Sequence, residues 1–288
     1  MVSKTFSTKR LFLSVSFLIF ASFLAGCGKP VITTTTTTPV VQEQDQQSLI
    51  TQYLVAVENA QYPNDSKIRP LTPIVKGDKR FVWNEKGQIL VATFTKKSYF
   101  QSDEYQTDSG FNLYGDTWFT TAPVMQKACS QFEKDKLLLR TQQMLGMPPK
   151  IAKPKTKNTH AVVVNDAFLQ VWIDPSEMFR PCPTLSLAQD HCEPSSPTLK
   201  KNPDITSAKP QPWQCDGLPE ESTDKWLCNW WSGSYLLFGW VNKFPWTALG
   251  YTYNWANMDN PQGADEFVAY KGKPVVFESI ASLDEYCR

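Results

Sequence analysis

Histidine is scarce in this chain, with only His160 and His191 in 288 residues. A Ser-His-Asp triad would need one of them. His160 lies in a basic stretch and His191 between Asp190 and Cys192, and a solvated loop histidine is the more ordinary reading of both. Charge of one sign is also lacking, since 29 Lys+Arg stand against 28 Asp+Glu. That excludes the basic footprint with which nucleic-acid binders neutralise phosphate, so no nucleic-acid partner is expected. There is no G-x-S-x-G elbow, H-E-x-x-H, Walker loop or G-x-G-x-x-G in the chain. Their absence removes the usual signatures of nucleophilic hydrolases, zinc peptidases and nucleotide binders. No apolar run reaches the about 20 residues that a membrane-spanning helix needs.

What is present begins at the N-terminus. Lys4, Lys9 and Arg10 precede an uninterrupted run, Leu11 to Leu24, that contains nothing more polar than serine. A charged start followed by a short apolar core is the anatomy of a cleaved signal peptide, here residues 1–26. The next residues, Leu24-Ala25-Gly26-Cys27, resemble the lipobox of bacterial lipoproteins. That resemblance implies a diacylglyceryl thioether on Cys27 and an acyl chain such as palmitate on its amine. Each buried CH₂ contributes about 0.8 kcal/mol, so two or three chains anchor a protein stably. In enterobacterial lipoproteins Asp after the Cys retains the protein in the inner membrane. Gly28 stands there in this chain, which by the same resemblance implies the outer membrane.

Residues 27–47 read as a lipidated N-terminus and tether. Thr33 to Thr38 are six consecutive threonines between Pro30 and Pro39, followed by Gln-rich sequence, a composition that favours extended chain over a core. The folded body is expected over 48–288, with 41% hydrophobic and 13% aromatic residues in the whole chain arguing against wholesale disorder. Leu49, Ile50, Tyr53, Leu54 and Val57 fall at helical spacing. Residues 80–83 and 88–94 read as a hairpin around Asn84–Gly87, and Trp118–Thr121 as a strand. Pro123 opens a helix with Val124, Ala128 and Phe132 on one face, and Leu137, Leu138, Thr141 and Leu145 continue it or start another. Residues 150–160 read as an exposed loop, and 162–164 and 168–173 as strands. Asp174-Pro175-Ser176-Glu177 reads as a capped turn. Residues 266–270 and 274–279 are expected to pair across Lys271-Gly272-Lys273, with Ser282-Leu283-Asp284-Glu285 capping a last turn. The fold class is α+β, a single disulfide-stapled domain without the regular βα alternation of a doubly wound sheet.

Setting Cys27 aside leaves an even six cysteines, which in an exported chain reads as three disulfides. Cys182/Cys192 and Cys215/Cys228 each bracket a short loop, and pairing neighbours leaves Cys129 with Cys287. Cys182, His191 and Cys192 lack the spacing of a structural zinc site, so no metal and no cofactor are expected.

Two features could carry binding or chemistry. Carboxylates cluster at Asp174/Glu177 and at Asp259, Asp265 and Glu266; paired acids suit glycoside hydrolysis, although the first pair is better explained as a helix cap. The loop 259–266 fails the EF-hand pattern. Seven of ten tryptophans, at 213, 226, 230, 231, 240, 246 and 255, crowd the same part of the chain. Most are expected in a core, because aromatic rings dominate cores. Trp246 and Trp255 flank the polar loop and are the candidates for an exposed, sugar-stacking face.

Thr117-Trp118 through Pro149, Val171-Trp172-Ile173-Asp174-Pro175 through Phe179-Arg180-Pro181-Cys182-Pro183, and Pro245 through Trp255 resemble segments of bacterial proteins to which no function is attached. No site residue is implied by them. The expected role is that of a cell-envelope lipoprotein, structural or ligand-binding, held to the membrane by its lipid and facing an envelope glycan or another envelope protein. A glycan hydrolase built on a carboxylate pair is the alternative.

Overall fold

The computed structural model describes residues 38–61, 63–102, 104–105, 110–149, 165–194, 214–219, 221–234 and 244–288. Its helices there are α1 (Thr38–Ala60), α2 (Ala122–Cys129), α3 (Leu137–Met144), α4 (Thr223–Ser234) and α5 (Leu283–Tyr286). Its strands are β1 (Ile89–Thr95), β2 (Phe111–Asn112), β3 (Thr117–Thr121), β4 (Ala167–Ile173), β5 (Met178–Phe179), β6 (Tyr251–Tyr253), β7 (Gln262–Asp265), β8 (Phe267–Ala269) and β9 (Pro274–Ser282). Helices and a large antiparallel sheet make the protein α+β. Cys27, the leader, Thr33–Thr37, 150–164 with His160, Trp213 and Trp240 lie outside the described residues.

Seven strands form one sheet in the order β2-β9-β4-β1-β3-β8-β5, and β6 and β7 form a separate pair. Its centre is β1 against β4, in register from Ile89↔Ile173 to Thr95↔Ala167, two segments rich in the branched and aromatic residues that suit a pleated, covered surface. Alternation splits their side chains between two cores. Ile89, Val91, Leu169, Val171 and Ile173 join Phe119 and Phe267 on one face. Ala92 and Phe168 join α2, α3 and α5 on the other.

The Asn84–Gly87 turn forms, with Gly87 N–H donating to Asn84 O and Leu90 N–H to Val82 O, each at 3.0 Å. The arms meet at the Trp83↔Ile89 bridge and pair no further as a ladder, while β4 and β3 take the edges of β1. The expected pairing of 266–270 with 274–279 does not occur. Leu113 N–H donates to Lys273 O and Gly272 N–H to Leu113 O, which delivers β9 to β2 and β4 while β8 pairs with β3 and β5.

Two helices also differ from expectation. α1 begins at Thr38 rather than near Ser48, since the Gln/Glu-rich stretch after Val41 consists of good helix formers. Tyr53, Ala56, Val57 and Ala60 are its buried residues, whereas Leu54 is exposed. On α2 the buried face is Ala122, Met125 and Cys129, not Val124, Ala128 and Phe132. The Cys129–Cys287 bridge sets that rotation, its Cα atoms 5.2 Å apart. Cys182–Cys192 and Cys215–Cys228 close the two short loops, and all four of these sulfurs lie in a core with Trp231, Trp246, Leu249 and Tyr251. At the end of β9, Glu285 Oε2 accepts from Ser282 N–H at 2.8 Å and from its hydroxyl at 2.7 Å, the expected cap. Among the described residues no helix is long and apolar enough to cross a membrane.

Candidate functional site

The helix-covered side of the sheet holds a cavity of about 390 Å³. The β1–β3 register sets Thr120 beside Ala92, and both line it together with Phe94 and Phe168. The end of α3, β6 and the Phe244–Trp246 segment supply the remaining walls. Glu266 closes one side. It follows β7, and its N–H donates to Gly250 O at 3.0 Å, so the backbone fixes its place before β8 pairs with β3.

The aromatic wall is built by packing. The rings of Trp118 and Trp246 meet edge to face at 5.8 Å, and Trp230 and Trp231 back Trp246 at 6.3 and 5.3 Å. Close approach on either side depends on glycine. A Cβ on Gly250, whose φ is +77°, would lie 2.8 Å from Cys192 Sγ and 2.9 Å from Leu71 Cδ1. A Cβ on Gly263 would press into the backbone of Met144 and Thr252, so β7 can lie against the end of α3 only without a side chain there.

Two polar atoms in this cavity are orphaned. Glu266 is 4% exposed and Thr120 6%, and neither Glu266 Oε1 nor Thr120 Oγ1 has a hydrogen-bond partner among the described residues. Leaving such a group unpaired costs about 1–3 kcal/mol. Burial pushes the Glu266 carboxyl up to about 8, the Trp246 indole beside it pulls it down, and the charges of Asp265 and Arg180 oppose each other. Among the described lining residues the charged ones are Asp116 and Glu266, both acidic.

The three loop carboxylates go to different places. Asp265 turns away from the cavity, accepting from Thr72 N–H at 2.7 Å and facing Arg180 Nη1 at 3.8 Å. Desolvation raises its pKa, and its contacts with Thr72 and Arg180 act against that rise. Asp259 is exposed and lines a separate polar concavity of about 360 Å³ with Lys67 and Arg69. Of the three, Glu266 alone lines the cavity among the described residues. Asp174 accepts from Ser176 N–H at 2.9 Å, the cap expected of it. Glu177 pairs with Lys273 at 2.5 Å.

Trp246 is 7% exposed and Trp255 1%, so neither stands on an open face. Trp255 meets Tyr53 edge to face at 5.8 Å and donates to Met147 O at 2.9 Å; α1 covers it. Trp246 is buried yet borders the cavity. Trp226 is the exposed member of the described group, at 37%. His191 is half-exposed between Asp190 and Glu193, at 2.7 and 3.0 Å, and these carboxylates raise its pKa. Thr120 and Arg180 were not singled out from the sequence. Arg180 in the run Phe179-Arg180-Pro181-Cys182 carries a faint signal, a lone cation among residues expected to be buried; Thr120 carries none. No group of His, Cys, Asp and Glu that could hold a metal occurs among the described residues.

No protein-family model matches the chain, and comparison with curated proteins and with solved structures gives no match.

Proposed function

We propose that this is a lipid-anchored protein of the cell envelope whose disulfide-stapled body binds a small ligand in the cavity between Trp118, Trp246 and Glu266. The observation that carries the binding role is the cavity itself: aromatic walls with two orphaned polar atoms, the combination of apolar surface and few directing groups found in ligand sites. The envelope address rests on the order of charged start, apolar run and Leu24-Ala25-Gly26-Cys27, and three disulfides are in keeping with an oxidising compartment. Outer-membrane placement follows from Gly28 by resemblance.

The anchor is tested by metabolic labelling with an alkyne fatty acid, where label on wild type and none on Cys27→Ala is expected; equal label ends the claim. The binding role is tested by calorimetric titration of the full chain in detergent with three water-soluble phenyl compounds, benzylammonium, benzyl alcohol and benzoate. At least one should bind one to one, and Ala92→Leu, on the cavity's face of β1, should abolish it. If none binds, the cavity is not a ligand site.

A further inference from the structure

The chemistry of the cavity goes further than its shape. Its described lining has two acidic residues and no basic one, and a buried carboxyl without a counter-charge is one of the costliest groups to ionise. Among the described residues the charged groups facing Glu266 are Asp265 and Arg180, and the phenol of Tyr251 lies in its field. Arg180 is wholly buried and engaged elsewhere: Nη2 donates to Thr72 O, Nη1 faces Asp265, and its plane lies 4.8 Å from the Phe267 ring centre. Among the described residues one buried cation thus stands against two carboxyls. A second cation would balance the second carboxyl.

Resting on the binding-module reading above, we propose that the cavity takes an organic cation, an ammonium group on an apolar body, with the ammonium donating to Glu266 Oε1 and Thr120 Oγ1 and the body against the rings of Trp118 and Trp246. An ammonium has three donors and no acceptor, which suits a carboxylate and a hydroxyl together. The faces of tryptophan rings attract cations, most strongly where water is excluded. A carboxylate ligand would bring like charge to Asp116 and would oppose the ionisation of Glu266 rather than favour it. A neutral alcohol could pair with the orphaned atoms without balancing the charge.

Proton accounting follows from the same geometry. Near neutral pH the Glu266 carboxyl holds its proton, so an entering ammonium must displace it, and binding tightens as pH rises toward 8.

The same three titrants test this. Benzylammonium should bind about tenfold or more tighter than benzyl alcohol, the preference expected of a charge-assisted hydrogen bond. Benzoate should not bind. Glu266→Gln should remove the preference while retaining benzyl alcohol, and Thr120→Val should weaken benzylammonium severalfold. Titration at pH 7 in two buffers of different ionisation enthalpy should show close to one proton released per benzylammonium and none per benzyl alcohol. If alcohol binds as tightly as ammonium and no proton is released, the cation assignment falls while the binding module stands. A preference for benzoate overturns it likewise. Should Glu266→Gln fail to fold, proton release and Thr120→Val still decide, and if no compound binds, both proposals fall.

Discussion

Arg180 Nη1 stands 3.8 Å from Asp265 Oδ2, with no part of the arginine side chain exposed and the aspartate only 14% exposed. The pair joins the loop after β5 to the end of β7, and removing one member strands the other in low dielectric. Arg180→Leu should lower stability by about 3–5 kcal/mol at pH 7, the usual cost of breaking a buried pair. That cost should shrink as the pH is lowered, because Asp265, already raised by burial, then takes up a proton and no longer needs a partner. Urea midpoints of both proteins across pH 4–7 check the magnitude and the trend.

The Glu266 carboxyl makes a second pH signature. Its folded pKa is raised to about 8, against roughly 4.3 in an unfolded chain. The folded state therefore holds the proton more tightly, and stability is fullest below the unfolded value and falls as pH climbs to the folded one. Each unit of pKa difference corresponds to about 1.4 kcal/mol, so the loss amounts to several kcal/mol. Glu266→Gln should flatten the curve between pH 5 and 8 and be the more stable protein at pH 8. Melting temperatures measured across pH 5–9 read this directly, and parallel curves would exclude it.

The three disulfides should differ in what they contribute. Chain-entropy reasoning gives about 5 kcal/mol for the long Cys129–Cys287 loop and about 3 for each short one. Paired Cys→Ser variants should rank accordingly in urea. Full reduction should unfold the body near body temperature, since the sum rivals the ~5–15 kcal/mol stability of a domain. Alkylation of denatured but unreduced protein should label none of these six cysteines.

Trp255 gives a test of the core under α1. Trp255→Ala should cost about 3–5 kcal/mol through the space it empties. Trp255→Phe should cost less, about 1–3 kcal/mol, chiefly because the Met147 carbonyl loses its donor. Far-ultraviolet circular dichroism on heating would show both.

What could be read from sequence was mostly local or covalent. The cap at Ser282 is complete within four residues, and the Asn84–Gly87 turn depends on its own backbone. The cysteine pairs were legible because neighbours in sequence leave one remaining pair. The 266–279 pairing was misread because a Lys-Gly-Lys turn says nothing of Leu113, which claims the turn from another part of the chain. Trp246 and Trp255 flank a polar loop in sequence, yet α1 and the cystine core cover them in space. Glu266 was visible as an acid, whereas its orphaned oxygen depends on Trp246, Gly250 and β3 arriving together. Thr120 is one threonine of a strand until the register sets it beside Ala92.

The bridge between Cys129 and Cys287 also redirects tension. Pulled from its two ends, the chain would pass its force along the residues before Cys129, cross a single sulfur–sulfur bond, and leave through Arg288. The segment between them, 158 positions in sequence, would bear none of it. β4, β8 and β9 all lie inside that slack loop, as do Glu266, Trp246 and Arg180. Stretching could peel away α1, β1 and β3, but it could not draw β4, β8 or β9 out as a thread while the bond holds.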